Sequence, residues 1–561
     1  MTALPGLSFE SPVRSPSRND GRIAFRARIG VTGHRSIENR EEVELAVIER
    51  LKEIREMFPP SRFTPVVFSM LSALAEGADR LVASVALGSK SEFEIELGAV
   101  LPLAVEEYCE DFKTEGSRRE FHDLLLRSRV RIELEHEQSP SEDERNAAYD
   151  RAGHYIVDHS DVLIAVWDGR ESNGRGGTAE VVRYAYKRKV PVLVVPAETL
   201  STDEPPSNGG RRLVEPGRRG PKSLAFRRID SYNRVSLNGS RNLGKIDSEQ
   251  ARLDKAIDGS SIRDRYTHVA DWALPHLARA DELAVFNHRL QTVLAWAIHL
   301  LAAFAVTVVA VQTLFLSDEP IWLVGEVVLV LLLLLAVVTG RYARLHDRWI
   351  GYRSLAEAFR SALFLVLSGG GELLSVTSTG VLGESEEAWF QRAFSQAWRS
   401  APEISLDHGE EAAALRDFLV EAWLDHQISY HCRAARRCKT LHSLCTWTMG
   451  LLASVTVVVA LLHIAEVGDD SWVGDALKLC ALTLPAFGGA VAGLREFGHL
   501  RLHEERSKRA VIRLRSLRNR LVASNTLTSV QHLAGDAQRV MEEETLDWYG
   551  VVEFQDVEIV I

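Results

Sequence analysis

Cysteine is scarce and carries no pattern. There are five, Cys109, Cys432, Cys438, Cys445 and Cys480, an odd number with neither a CxxC pair nor zinc-ligand spacing. A disulfide framework and a thiolate metal site are therefore excluded as organising principles, and reduced thiols facing cytosol or lipid are expected. Net positive charge is missing too: the formal charge of -11 argues against a generic nucleic-acid binder, although basic residues cluster beside apolar segments. Residues 1–20, rich in Ser, Pro and Arg, hold no apolar run of the kind at the centre of a signal peptide. Residues 1–22 are expected to be disordered and cytosolic.

What is present is length and polarisation. The chain has 561 residues, 25% of them charged, which is material for roughly three or four domains. Its mean hydropathy is near zero. That average conceals a polar chain up to about Phe286 and very apolar segments after it.

From Ile23 to about Pro196, short apolar runs alternate with amphipathic stretches, the pattern of a parallel sheet covered by helices. Strands are predicted at Arg28–Val31, Thr64–Ser69, Ala99–Leu103, Val162–Val166 and Val190–Val195. Helices are predicted at Glu41–Phe58, Asp79–Leu87 and Thr178–Lys187, the first with Val43, Ala46, Val47, Leu51 and Ile54 on one face. The fold class is thus a doubly wound, Rossmann-like α/β domain over 23–197. Residues 198–262, with Pro205–Pro206 and Pro216–Gly220, are expected to form a linker or insertion low in regular structure.

Leu290–Leu316 and Pro320–Thr339 each approach the roughly 20 apolar residues that cross a bilayer, and only Ser317–Glu319 separates them. Leu444–Val467 and Trp472–Leu494 repeat the arrangement around Gly468–Asp470. Arg344-Leu345-His346-Asp347 follows the second span as Arg501-Leu502-His503-Glu504 follows the fourth. A duplicated unit is inferred, two spans followed by a long charged helix, with boundaries at 263–400 and 401–561. Positive side chains flank the outer ends of each pair: Arg289, Arg341, Arg344 and Arg348, then Arg433, Arg436, Arg437, Lys439, Arg495 and Arg501. Both turns carry acids and no Lys or Arg, so the turns are expected outside and both termini in the cytosol, in the cell's inner (plasma) membrane. Lys478 is the exception, with a stem long enough to snorkel. Glu326 in the second span and His299 in the first are ionisable groups where charge is costly, and Gly489 and Gly493 supply spacing for close helix contact.

Three motifs fall at the C-terminal ends of predicted strands, where open α/β sheets bind ligands. The first is Gly30-Val31-Thr32-Gly33-His34-Arg35, whose glycines permit close backbone approach. The second is Ser72–Arg80, containing Glu76, Gly77 and Asp79. The third is the strand ending at Asp168, followed by Gly176-Gly177-Thr178-Ala179-Glu180, where a helix N-terminus offers unpaired N–H groups to a phosphate. Asp79 is equally suited to cap its helix, Glu180 to complement a helix dipole, and Gly30 and Gly33 to permit a tight turn. Tyr149 and Asp158 are further candidates for the same crevice. Neither a metal nor a cofactor is expected.

The combination of Val31–Arg35, Ala73–Arg80 and Gly176–Glu180 resembles the SLOG superfamily, Rossmann-like domains shared by DNA-processing proteins and phosphoribohydrolases. The hairpin units, with the following helix carrying Trp349, Arg353 and Glu357, are similar to SLATT domains, two-span effector modules of bacterial conflict systems. The resemblance implies a homo-oligomeric membrane effector that binds a nucleotide-derived small molecule and perturbs the lipid bilayer in antiviral defence. It also leaves open a membrane-anchored hydrolase of nucleotide or NAD with Glu180 as its catalytic carboxylate. The phosphoribohydrolases resemble Gly-Gly-x-Gly-Thr-x-x-Glu, whereas Glu180 stands two positions after Thr178, about 100° further round the helix than that pattern requires. The sequence shows no interleaving of basic and aromatic residues of the kind that binds single strands. A housekeeping transporter is a third class, disfavoured by the scarcity of ionisable residues deep in the spans.

Overall fold

The computed structural model describes residues 21–88, 94–134, 141–170, 177–197, 224–236, 240–315, 321–369, 389–402, 404, 410–467 and 471–552. Residues 1–20, 198–223 and both span-connecting turns, at 316–320 and 468–470, lie outside this set, as do the expectations attached to them. The chain divides into two units. One comprises Arg22–Arg234 with Leu382–Ala397, and the other contains Val235–Val381 and Trp398–Ile561.

The first unit is α/β. Its strands are β1 (Phe25–Gly33), β2 (Val66–Ser72), β3 (Ile95–Leu101), β4 (Val130–Glu133), β5 (Val162–Trp167) and β6 (Val192–Pro196), all parallel in the order β4-β3-β2-β1-β5-β6. β5 is buried from Val162 to Val166, as a strand covered on both faces must be. The helices between strands are α1 (Arg40–Met57), α2 (Ala78–Leu87), α3 (Val105–Cys109), α4 (Glu115–Arg127), α5 (Glu142–Asp158) and α6 (Thr178–Lys187). α1 buries Val43, Val47, Leu51 and Ile54. α1 packs on α2, and α5 on α6. Right-handed crossovers put the two pairs on opposite faces, because the chain winds outward from β1 to β4 and then returns to β5 on β1's other side.

The opposite, N-terminal edge of the sheet is closed by residues far away in sequence. Two helices, α7 (Leu224–Arg234) and α8 (Ser240–Ile257), occupy the stretch expected to hold little regular structure. On α7, Asn233 accepts the Ile23 N–H at 2.9 Å and donates to the Ile23 carbonyl at 2.8 Å, while Asp230 accepts from Thr64 at 3.0 Å. The second closure is α12 (Trp389–Trp398), whose Trp389, Ala393, Phe394 and Ala397 are buried. Arg392 clasps Asp161 at 2.6 and 2.7 Å and also donates to the Arg26 carbonyl. Burial alone would raise the Asp161 carboxyl. The charge and hydrogen bonds of Arg392, with Arg28, outweigh it and hold the group below the ordinary carboxylate value.

The second unit is helical and contains two similar halves. In the first, α9 (Arg263–Phe315) is followed by α10 (Ile321–Ala343) and α11 (Leu345–Leu367). In the second, α13 (Glu410–Phe418), a π-helical stretch (Leu419–Asp425) and α14 (His426–Ile464) run on without a break, followed by α15 (Trp472–Phe497) and α16 (Leu500–Val522). α17 (Leu527–Val552) follows. In each half one left-handed residue, Arg344 at φ 44° or His499 at φ 39°, separates a span from a 23-residue helix. That helix then packs along the long helix of its own half, α11 on α9 and α16 on α14.

Among the described residues, four helices are long and apolar enough to cross a membrane, as in a multi-pass membrane protein. Their exposed large apolar side chains, such as Leu331, Leu335, Leu451 and Val457, have no place in water. The extensive span contacts run α10 to α9, α9 to α15 and α15 to α14, so the spans stand in a row. At the centre of that row Phe304 meets Phe487 edge-on at 5.6 Å. The His299 ring occupies the notch at Gly493, where a Cβ would lie 2.4 Å from Nε2. His299 Nδ1 lies 2.7 Å from the Ala295 carbonyl oxygen of its own helix. Beyond the spans, Glu357 pairs with Arg353 at 2.5 Å and with Arg360.

Replacing Asp161 with Ala leaves Arg392 half-buried and uncompensated, and should cost the α/β unit about 3 kcal/mol. Because the folded value lies below the unfolded one, the contribution is complete above that unfolded value and is lost as pH falls through the folded one. Hydrogen exchange of the β1 and β5 amides in the full chain checks both statements.

Candidate functional site

The strand order reverses between β1 and β5, and the crevice at their C-terminal ends is the place where such sheets take ligands. The ladder continues one residue past β1, as the His34 N–H donates to the Val166 carbonyl at 3.1 Å. The His34 carbonyl in turn accepts the Ala78 N–H at 3.0 Å, joining β1 to the first turn of α2. Two glycines make this junction possible. A Cβ on Gly33 would lie 2.4 Å from that of Ala78, and one on Gly77 would lie 2.3 Å from the Arg35 carbonyl oxygen. Gly77 also has φ 86°, a conformation costly for any L side chain. Gly30 sits deeper in β1, with Ser160 and Ile156 against its α-carbon face.

The loop from Ser72 to Gly77 is held from within. Leu74 adopts φ 56°, and its N–H donates to Ser72 Oγ at 3.1 Å. The buried Asp79 carboxyl faces the Ala73 and Ala75 amides and the Ser72 hydroxyl, whose polar groups favour its ionised form. Arg80, 1% exposed, donates to the Leu74 carbonyl at 2.9 Å and to Ser117 at 2.7 and 2.8 Å, and lies 4.2 Å above the Phe112 ring. Glu76 accepts the Ser117 hydroxyl. Asp79 and Glu76 therefore serve the loop's own architecture. Burial pushes the Asp79 carboxyl up to about 7, against the opposing effect of its hydrogen bonds and of Arg80.

Across the crevice, His34 Nε2 lies 3.0 Å from Asp168 Oδ1 and 3.2 Å from the Asp168 amide nitrogen. Burial raises the Asp168 carboxyl, but the Arg170 N–H at 2.9 Å, His34 and the Arg170 charge hold it below its usual range. Arg35 is exposed, with its guanidinium 5.5 Å from the Tyr149 ring centroid. Tyr149 donates to Asp111, which Arg145 also binds at 2.8 Å. Thr32 stands in β1 opposite Ala165. Gly177 precedes α6, and its carbonyl accepts the Glu180 N–H at 3.0 Å; Thr178 is buried and Glu180 half-buried. Gly176 lies outside the described residues.

The structure thus brings His34, Asp168, Gly33 and Gly77 to one junction. Asp158 is elsewhere: at the C-terminus of α5 it accepts from Tyr184 at 2.9 Å and Arg188 at 2.7 Å, tying α5 to α6. Sequence reasoning singled out His34 and Asp168 separately and gave no sign of their pairing, which joins residues 134 apart. Among the described residues, no group of three or more His, Cys, Asp or Glu side chains is placed to hold a metal. The sequence matches no protein-family model, and no curated protein matches it. Chemically, the junction pairs an imidazole with an ionised carboxylate, and the exposed Arg35 and the N-terminus of α6 are the features that favour an anion.

Between the unfolded value of 3.8 and the folded value of about 7, Asp79 binds more proton in the folded than in the unfolded state. Stability of this loop should therefore fall as pH rises through that window. Exchange of the Ala73 and Ala75 amides, corrected for intrinsic rate, is expected to show this slope in the full chain and to lose it in Asp79→Asn. Equal slopes would place the titration elsewhere.

Proposed function

We propose that this chain is a membrane-embedded effector whose α/β domain, of the SLOG-like Rossmann type, binds a nucleotide-derived ligand and thereby controls membrane permeability in antiviral defence. The observation that carries the reading is the junction of His34, Asp168, Gly33 and Gly77 at a strand-order reversal, with the α6 N-terminus following the next strand, in a chain that also has four membrane-length helices among its described residues. A phosphate at the α6 N-terminus would gain from the helix dipole and from unsatisfied first-turn amides. The chain sits in the inner membrane with both termini cytosolic, following the basic flanks of the spans.

Several copies act together. A row of four spans encloses nothing by itself, so a conducting state needs protomers arranged around an axis. Taking assembly from rare to dominant requires differential ligand binding of about 5 kcal/mol, shared among the sites. A nucleotide-cleaving hydrolase is the second reading, favoured by the His34–Asp168 pair, since an imidazole oriented by a carboxylate is a common general base.

Gly177→Asp places a carboxylate where the phosphate belongs. Cells expressing the intact chain should keep their membrane potential until the inducing signal appears and then depolarise, while Gly177→Asp cells stay polarised. Depolarisation that persists in the variant would sink ligand gating. Nucleotide depletion with an intact potential would favour the hydrolase.

A further inference from the structure

Away from the spans, many arginines of the helical unit are paired: Arg353 and Arg360 with Glu357, Arg252 with Glu249, Arg265 with Glu411, and Arg518 with Asp425. At the ends of the spans remote from the connecting turns, Arg501 pairs with Glu505, but most of the flanking arginines do not follow that pattern. Arg289, Arg344, Arg348, Arg436 and Arg437 are exposed and Arg495 is half-buried. None of their guanidinium groups has a hydrogen-bond or ion-pair partner among the described residues. The acids nearest in sequence are Asp347 and Glu496, too few to neutralise them.

Their placement relative to the apolar surface is specific. Arg344 is the left-handed residue directly after α10, next to Tyr342, which is 84% exposed. On α14 the exposed stripe runs from Arg436 and Arg437 through Leu441 and Leu444 to Trp447. Arg437 precedes Leu444 by about 10 Å of helix, a distance its side chain can shorten by reaching along the axis. The order from cation through aromatic to aliphatic is that of a segment leaving hydrocarbon through a headgroup layer.

We infer that this collar of unpaired arginines binds the headgroups of anionic phospholipids, and that the chain selects such lipids over zwitterionic ones. An unpaired guanidinium keeps all its donors for phosphate, and each cation at an anionic surface strengthens binding by about fivefold. The inference rests on the membrane placement of the four spans. It is independent of what the α/β crevice binds.

The test is native mass spectrometry of the full chain in detergent with equimolar phosphatidylglycerol and phosphatidylcholine. Preferential retention of phosphatidylglycerol is expected. Arg348→Gln, Arg436→Gln and Arg437→Gln combined should cut it by roughly a hundredfold, and the corresponding Lys substitutions should largely retain it. Should the Gln variant fail to insert, the same preference in the wild-type chain must weaken at about 1 M salt, where screening is effective within about 3 Å. Equal retention of the two lipids by the wild type, or an undiminished preference in the Gln variant, overturns the inference. Gly177→Asp should leave the lipid preference unchanged, which separates this result from the fate of the ligand-gating proposal.

Discussion

Hydrocarbon offers no hydrogen-bond partner to a peptide group, so each segment that crosses it must satisfy its own backbone and present apolar side chains outward. The helical unit follows from that constraint. Its long helices are apolar only over the stretch that meets lipid, and charge returns as soon as the span ends, first as unpaired arginines and then as ion pairs such as Arg353–Glu357. The change of solvent coincides with a change of direction: the left-handed residues Arg344 and His499 stand where a span gives way to a 23-residue helix packed on its own half. Within the membrane, where burial of apolar surface gives no advantage, close contact depends on shape. The fit of His299 into the Gly493 notch between the two halves is an instance.

The α/β unit obeys the opposite economy. In water its sheet must be covered on both faces and at its edges, and the N-terminal edge is covered from a distance by α7 and α12. The Arg392–Asp161 pair brings in a helix 231 residues further along the chain, lying in sequence between the two membrane-spanning halves. At the C-terminal edge, backbone is packed against backbone at Gly33 and Gly77, and buried Asp79 and Arg80 hold the adjoining loop.

Much of this was legible in the sequence, for identifiable reasons. The five predicted strands all overlap observed ones, and Thr178–Lys187 is a helix with those bounds, because buried parallel strands and amphipathic helices leave strong local patterns. β4 was missed: Val-Arg-Ile-Glu at a sheet edge is half charged and short. The helices α7 and α8 were obscured by the Ser, Asn and Gly content around them; α7 owes its place to tertiary partners such as Ile23. At the site, the sequence pointed to residue types and loop positions. It allowed a structural role for Asp79 but gave no indication that Glu76 is engaged by Ser117 or that His34 meets Asp168, since those contacts arise only when separate strands and helices converge.

The claim at the centre of this account is that the crevice between β1 and β5 holds a nucleotide-derived molecule. Mass spectrometry of the small molecules released on denaturing the intact, detergent-purified chain tests it most directly, with Gly177→Asp purified in parallel. The account expects a phosphorylated nucleotide derivative at near-stoichiometric amount from the wild-type chain and its loss from the variant. Equal recovery from both, or none from a wild-type chain supplied with lysate metabolites, would contradict it.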